Sequence, residues 1–392
     1  MIFRNITKVL EKELETSEVV VITGMRRVGK TTMLNYLSDK INSQNKLYID
    51  LEDTIKRRIF EDPNYENILN NLVELGLKKS EKGYVLLDEI QFVREMPSVI
   101  KYLYDHYKIK FIVTGSSSFY LKNLFSESLS GRKLIFEMYP LTFEEFLKFK
   151  EVDKIFERNF DQKSKQKNEF KEGLYRKLYH EYIEFGGFPG VVLEPDYERK
   201  KRLLNEIFQS YFQKDIEILA DFKDSSKLRD LILLLLPRVG NVIDISKLAL
   251  GLNSSRESVY NYLEFLEATY FIKLLPKYTN IDKKLTGGKK LYVCDSGLVN
   301  VLGKLSEGQL FENSVFQNLR PRHKISYYRK SEVNEVDFIL DDEVALEVKT
   351  SASRHDVASL TKRLVGLKKL KEFYIVSLNF LNENEIIMAW DL

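Results

Sequence analysis

The sequence predicts an α/β protein that opens on a parallel sheet and closes on a second α/β region. Three observations carry that prediction. Short apolar, β-branched runs alternate with helix-spaced segments across residues 1–150. A glycine-rich loop joins the first such run to the first helix. Strand and helix patterns alternate again over roughly the last 85 residues.

Val19-Val20-Val21-Ile22-Thr23 reads as a strand ended by Gly24. Residues 30–41 have helical spacing, with Met33, Leu34, Leu37 and Ile41 on one face. Residues 47–51, 84–88 and 110–114 read as further strands, and residues 97–107 as a helix with Pro97 in its first turn. Strands that are apolar on both faces belong to a parallel sheet covered by helices. Residues 151–172 shift to Lys, Glu, Asn and Gln, and read as a charged connector at a domain edge. Residues 174–236 are helix-rich, with one break at Gly186-Gly187-Phe188-Pro189-Gly190. Residues 239–278 read as two helices followed by strands.

The chain has 392 residues, 44% apolar and 30% charged, enough for two or three globular domains. One cysteine, Cys294, excludes a disulfide framework and a multi-cysteine zinc site. The four histidines, His106, His180, His323 and His355, are scattered and give no zinc-protease motif. No apolar run approaches the ~18 residues of a membrane span, and the first residues do not read as a signal peptide. The expected compartment is a reducing cytoplasm, with no membrane partner. Net charge is +3, from 61 basic and 58 acidic groups. A nucleic-acid surface is compatible with that balance only if the charges segregate.

Gly24-Met25-Arg26-Arg27-Val28-Gly29-Lys30-Thr31 matches G-x-x-x-x-G-K-[ST] between a strand and a helix. Its chemistry suits ATP with Mg²⁺. Gly24, Arg27, Val28, Gly29, Lys30, Thr31 and Thr32 form the expected phosphate cradle. Lys30 neutralises β/γ charge, and Thr31 ligates the metal at the helix N-terminus. Asp88 ends an apolar strand, where an acid holds the Mg²⁺ water shell. Glu89 follows, placed to orient or deprotonate an attacking water, which favours hydrolysis over transfer to a small acceptor. Residues 110–114 run into Gly115-Ser116-Ser117-Ser118. Where an extra strand lies between the two phosphate-site strands, a polar residue here touches the γ-phosphate. Ser116 is the first choice and Ser117 the second; a plain helix cap is the alternative.

At these residues the chain resembles AAA-like ATPases of the additional-strand class, near the signal-transducing STAND branch. More closely, it resembles prokaryotic members with a winged helix and a restriction-nuclease-like domain in the second half. Further motifs that carry the resemblance are Leu87-Asp88-Glu89-Ile90-Gln91, Thr114-Gly115-Ser116, Ser130-Gly131-Arg132, residues 139–146, Gly186-Gly187-Phe188-Pro189 and Phe311-Glu312-Asn313. The resemblance implies an ATPase core at 1–150, a helical lid and connector at 151–236, a winged helix at 237–280, and linking strands with the nuclease-like domain at 281–392. It also implies that Pro189 lies near the adenine ring, the alternative being a simple helix break. Arg132 becomes an arginine finger toward the γ-phosphate of its own or a neighbouring subunit; the alternative is a pair with a surface acid.

Two further patterns concern nucleic acid. A short helix from Asp244, a glycine turn, a second helix from Arg256 and a strand at 271–275 make a winged-helix pattern, with Arg256, Tyr260 and Asn261 facing out. Glu257, Glu264 and Glu267 weaken its attraction for phosphate, so DNA contact and plain packing both stay open. In the C-terminal region Asp337 and Glu347 fall on adjacent expected strands, and Lys349 shares a face with Glu347. Glu312 is expected to join from a helix over 311–319. Asp337, Glu347 and Glu312 are the candidate ligands for Mg²⁺ or Mn²⁺, and Lys349 the group that activates water, as metal-assisted phosphodiester hydrolysis requires. The order of elements, with strands at 325–329, 336–340 and 344–349, a helix at 356–370 and strands at 373–378 and 386–390, is that of PD-(D/E)XK nucleases. Lys362, Arg363, Lys368, Lys369 and Lys371 are expected to form either a DNA-facing basic helix or a solvated face.

The leading expectation is an ATP-hydrolysing protein acting on DNA, with a metal-dependent nuclease domain. The alternative is a nucleotide-operated switch or scaffold, binding a protein partner or assembling with itself, whose nuclease-like domain is silent.

Overall fold

The computed structural model describes residues 4–116, 131–165, 167, 169–216, 225–279, 287–303, 305–331, 334–365, 367 and 369–392. Ser117, Ser118, Ser130 and Lys368 lie outside them. The chain forms two compact units: Met1–Tyr139 with Ala268–Tyr270, and Pro140–Glu267 with Phe271–Leu392.

The first unit holds a five-stranded parallel sheet. Its strands are β1 (Val19–Thr23), β2 (Lys46–Asp50), β3 (Gly83–Asp88), β4 (Ile109–Gly115) and β5 (Lys133–Glu137). Their order is β2-β3-β4-β1-β5. The extra strand, β4, therefore lies between β1 and β3, as the resemblance to additional-strand ATPases implies. Both β1 and β4 are buried at every residue. Alternate residues Val19, Val21, Val85, Leu87, Phe111 and Val113 pack with Ile68, Leu69 and Leu72 of one helix and Val99, Ile100 and Leu103 of another. The helix Lys30–Lys40 packs on β3 and β4, burying Met33, Leu34 and Leu37. Each fully buried aliphatic side chain contributes about 1.5–3 kcal/mol.

The second unit begins earlier than residue 150. The helix Phe143–Phe149 is fixed by a capping box of Thr142 and Glu145. Its apolar face meets aromatic residues of the helix Glu169–Phe185: Phe143 lies 4.7 Å from Tyr179 and Phe146 lies 5.5 Å from Tyr182, ring centre to ring centre. The segment 151–172 is not a loose connector either. Lys154 pairs with Asp391 at 2.5 Å, and buried Lys163 donates to the Asp391 carbonyl at 2.9 Å. Charge composition signalled a domain edge, but these lysines are anchors for the chain's last turn.

Further along, the helices Ile245–Gly251 and Arg256–Ala268 lead into β6 (Ile272–Leu275), which pairs antiparallel with β7 (Lys290–Val293). Val259, Leu263 and Leu266 are buried, while Tyr260 is 58% exposed, as their spacing predicts. The helix Glu307–Leu319 precedes a mixed sheet of β8 (Ile325–Ser331), β9 (Asn334–Leu340), β10 (Val344–Lys349), β11 (Glu372–Ser377) and β12 (Ile386–Met388), in order β12-β11-β10-β9-β8. β9 pairs antiparallel with both β8 and β10, while β11 pairs parallel with both β10 and β12. The helix between β10 and β11 runs Arg354–Leu364 and stops short of residue 370, so Lys369 and Lys371 lie beyond it. Among the described residues no helix is long and apolar enough to cross a membrane.

Candidate functional site

The parallel register brings the C-terminal ends of β1, β4 and β3 to one edge: Ile22 pairs with Thr114, and Leu87 with Val113. The phosphate-loop sequence leaves this edge between β1 and the helix Lys30–Lys40. Gly24 has φ +147°, and a Cβ there would stand 2.0 Å from the Met138 carbonyl oxygen. Only glycine fits that approach. Gly29 caps the helix in a left-handed conformation with no side-chain cap, so the first amides remain available to an anion. Arg27 also adopts positive φ, at 66°. Lys30 is buried and donates from Nζ to the carbonyls of Gly24 (2.8 Å) and Met25 (3.1 Å). Thr31 and Thr32 are exposed at the helix start. Buried Arg4 braces the loop, donating to the carbonyls of Val28 (3.0 Å) and Tyr139 (2.8 Å). These features fit a nucleoside triphosphate.

Asp88 ends β3 and is 3% exposed. Its Oδ2 accepts from the Tyr48 hydroxyl at 3.1 Å, and its Oδ1 accepts from the Thr114 hydroxyl. Burial and the Asp88 carboxylate both push the Tyr48 phenol upward, so it stays a neutral donor. Glu89 sits at φ +56°, and its N–H donates to Thr114 Oγ1 at 3.0 Å. A left-handed non-glycine residue turns the chain sharply at the strand end. Gln91 Nε2 donates to Glu89 Oε2 and, at 3.0 Å, to Ser116 Oγ. The edge thus gathers Asp88, Glu89 and Ser116, all named by the sequence, with Tyr48 and Gln91, whose roles it did not assign.

Arg132 is placed elsewhere. It immediately precedes β5, and its carbonyl accepts from Val19 N–H, at the edge opposite the phosphate loop. Its Nε pairs with Asp105 at 3.1 Å. A strand of five residues at ~3.3 Å each separates the two edges, so a finger toward its own γ-phosphate is corrected. Pro189 opens the helix Pro189–Leu193 in the second unit. The glycines before it are explained by packing: a Cβ on Gly187 would stand 2.3 Å from the Leu141 carbonyl oxygen, and Gly187 N–H donates to buried Asp295 at 2.7 Å.

The second unit's carboxylates also come together, but around cations. Asp337 faces Glu347 across the β9–β10 pair, and its Oδ2 accepts from Val348 N–H at 2.9 Å. Glu347 is 4% exposed and pairs with Lys349 at 3.0 Å, on the shared face that strand alternation predicts. Arg363 also turns inward to Glu347, at 3.0 Å, so it is not part of an outward basic helix. Lys371 pairs with Glu343 at 2.6 Å. Glu312 does not join Glu347. It pairs instead with Lys290, whose buried ammonium lies 2.9 Å from Glu312, 2.8 Å from Glu335 and 3.1 Å from Asp337. Tyr292 donates to Glu312 at 2.5 Å. Arg329 reaches Glu335 at 3.5 Å. Burial opposes the charge on Lys290, but Tyr292 and the three acids hold its pKa well above the ordinary value. Burial and neighbouring Asp337 push Glu312 up to about 7 and also raise Glu347. The three-ligand expectation is therefore corrected: among the described residues no three His, Cys, Asp or Glu side chains are grouped to hold a metal ion.

An AAA-domain family model matches residues 16–147, a domain of unknown function (DUF8612) residues 176–309, and another (DUF4143) residues 307–385. An uncharacterized protein of Methanocaldococcus jannaschii, MJ1544, is 32% identical over 380 residues, covering 93% of this chain and 82% of that protein. An uncharacterized protein of Haemophilus influenzae is 31% identical over 339 residues, covering 83% and 80%. The chain belongs to the family of these proteins. Its first unit carries the AAA domain and the P-loop ATPase fold. A solved structure of the Thermotoga maritima RuvB Holliday junction branch migration motor is similar at 14% identity and a TM-score of 0.32, over 69% of this chain and 86% of that one. So loose a likeness carries no functional argument.

The signals for what the sequence reading missed are specific. Lys290 and Tyr292 alternate along one strand, as do Glu335 and Asp337 on another, so each pair shares a face. A lysine opening an otherwise apolar strand needs a buried counter-charge. Gln91 belongs to the Leu87–Gln91 motif but does not titrate, so only geometry shows that its amide joins Glu89 to Ser116.

Proposed function

We propose that the AAA domain binds ATP with Mg²⁺ at Gly24, Arg27, Val28, Gly29, Lys30, Thr31 and Thr32, and hydrolyses it. The convergence of Lys30, Asp88, Glu89 and Ser116 at one sheet edge, with an inserted strand between β1 and β3, carries this reading. Lys30 supplies charge to the β- and γ-phosphates, Thr31 and Asp88 hold the metal or its waters, Glu89 takes the proton of the attacking water, and Ser116 contacts the γ-phosphate. Mg²⁺, when bound, neutralises charge that develops on the phosphate oxygens. Arg132 acts as a finger only toward a neighbouring copy, since its own loop lies at the other edge.

We further propose that the nucleotide cycle is coupled to DNA through the second unit. Its helix pair and β6–β7 wing support a winged-helix reading, with Arg256, Tyr260 and Asn261 as the exposed face. The order of strands and helix around the mixed sheet supports a restriction-nuclease-like reading of this domain. For its chemistry the second reading is favoured: a domain that keeps the fold without cleavage, within a nucleotide-operated switch. Lys290 is the observation behind it, because an ammonium already sits among Glu312, Glu335 and Asp337. A metal ion there must displace it.

ATP turnover with and without DNA, alongside a Mg²⁺ and Mn²⁺ cleavage assay on the same sample, tests both parts. Turnover raised by DNA with no cleavage is the expected result. Cleavage that disappears in Asp337→Ala and slows in Lys349→Ala restores the nuclease reading. Turnover indifferent to DNA leaves the protein-binding switch.

A further inference from the structure

Gln91 is 5% exposed and lies on the short helical turn Ile90–Phe92 that follows Glu89. The orientation of its amide is fixed by chemistry. A carboxylate only accepts, so the group facing Glu89 Oε2 must be the nitrogen. The same nitrogen reaches Ser116 Oγ at 3.0 Å, which uses both of its hydrogens. The amide oxygen, Oε1, is left buried with no donor among the described residues. Buried acceptors are almost always satisfied, and a native exception calls for a specific explanation.

We propose that Gln91 Oε1 accepts a hydrogen bond from the attacking water, making Gln91 a catalytic residue beside Glu89 and tying both to Ser116. This rests on the ATP-hydrolysis reading of the same edge. Water has two hydrogens, and the proposal gives each an acceptor: the Glu89 carboxylate and Gln91 Oε1, which is buried in the structure and opens to the water when Ser116 turns to the triphosphate. Holding both aims the water's lone pair, and an oriented nucleophile lowers the barrier. In the step itself the water oxygen bonds the γ-phosphorus. The bond from phosphorus to the β–γ bridging oxygen breaks, and that oxygen leaves with its electron pair on ADP. One water proton passes to Glu89, and the hydrogen on Gln91 Oε1 stays with the new phosphate. Ser116 enters because its hydroxyl is at once a partner of the Gln91 amide and the group proposed to contact the γ-phosphate. A serine turned toward phosphate changes what the amide nitrogen holds, so water is aimed when the triphosphate is present.

The test uses the full chain and steady-state ATP turnover, with nucleotide affinity measured separately by a fluorescent ATP analogue. Gln91→Leu keeps the side-chain volume and removes both polar atoms. It is expected to lower kcat by about 10²-fold while analogue affinity stays within about threefold, since the water contact is made in the reacting complex. Gln91→Glu places a second carboxylate against Glu89. The pair then holds a proton to higher pH, and the rising limb of kcat moves to higher pH than in the parent. A merely structural glutamine gives neither the kcat-selective loss nor the moved limb. Unchanged kcat in Gln91→Leu, or affinity falling in step with kcat, overturns the proposal while leaving ATP hydrolysis standing. A parent protein that neither binds the analogue nor turns ATP over, with Lys30→Ala identical to it, overturns both.

Discussion

In the first unit Asp88 ends β3 against the hydroxyls of Tyr48 and Thr114; in the second, Asp337 and Glu347 stand on β9 and β10 against ammonium and guanidinium groups. Both arrangements set acids on neighbouring strands, and both bury them. Their partners differ, and that difference sets what each can bind. A hydroxyl satisfies a carboxylate oxygen without cancelling its charge, so Asp88 keeps its attraction for a divalent ion. A buried cation satisfies and neutralises at once. Around Lys290 the four carboxylates Glu312, Glu335, Asp337 and Glu347 meet four cations, Lys290, Arg329, Lys349 and Arg363. The first edge is electrostatically prepared for a ligand, and the second is closed on itself.

The comparison breaks most visibly at Lys30. Hydrogen bonds to charged groups are each worth about 1.5–3 kcal/mol, and Lys30 faces more than one phosphate oxygen. Lys30→Ala is expected to weaken ATP binding by about 10²-fold or more, read by calorimetry. Binding within about threefold of the parent would mean that the loop is structural. Next in size is Glu89→Gln. The amide still hydrogen-bonds water but is a poor base, so binding persists while turnover falls by about 10²–10⁴-fold. Equal turnover by variant and parent would remove Glu89 from its role.

How far this contrast was legible in the sequence depends on the kind of signal. The phosphate loop was legible because each fixed residue answers to one backbone demand, as Gly24 does against the Met138 carbonyl. Continuous apolar runs implied a parallel sheet, and the resemblance to additional-strand ATPases implied the extra strand between β1 and β3, where β4 lies. The acid cluster was half legible. Strand parity placed Glu347 with Lys349, but parity is silent on what arrives from other elements, so Arg363 and Lys290 went unforeseen. Only the own-subunit reading of Arg132 fell, for a related reason: a motif gives no edge, the parallel register of β5 with β1 does, and the contact found is the alternative, a pair with an acid, Asp105. The AAA-domain match ends at 147, close to the expected boundary, whereas the compact unit ends at Tyr139, because Phe143 and Phe146 are apolar toward any partner and only packing shows that Tyr179 and Tyr182 receive them.

An effect on stability rather than turnover sharpens the comparison at Lys290. Lys290→Met keeps the stem and removes the ammonium, leaving Glu312, Glu335 and Asp337 without their shared cation. Breaking a buried ion pair from one side costs about 3–5 kcal/mol, so a marked fall in thermal midpoint is expected. Mn²⁺ decides what the cluster is. If added Mn²⁺ restores the variant's midpoint and leaves the parent's unchanged, the lysine occupies a place that a metal can fill. If neither responds, the cluster is a structural ion network and the contrast with Asp88 stands.

The smallest expected effect is the pH dependence carried by Glu312. Its folded pKa is pushed up to about 7, by burial first and by Asp337 second, against an ordinary value near ~4.3 in the unfolded chain. Between those values the folded state binds the proton more strongly than the unfolded state. Stability linked to this group is therefore full below about pH 4.3 and declines as pH rises toward 7. Lys290, held well above its ordinary pKa, does not titrate in that window, so it does not mask the slope. Raised Glu347 acts in the same direction and leaves a residual slope. Glu312→Gln cannot titrate. It also loses its attraction to Lys290, which lowers stability at every pH where that carboxylate is ionised, so the slope and not the level is the diagnostic. Urea midpoints at pH 5 and pH 7.5 are expected to differ less in the variant than in the parent. An equal difference in both proteins would show that Glu312 is already ionised across this range, and that the Lys290 ammonium outweighs burial in setting its charge.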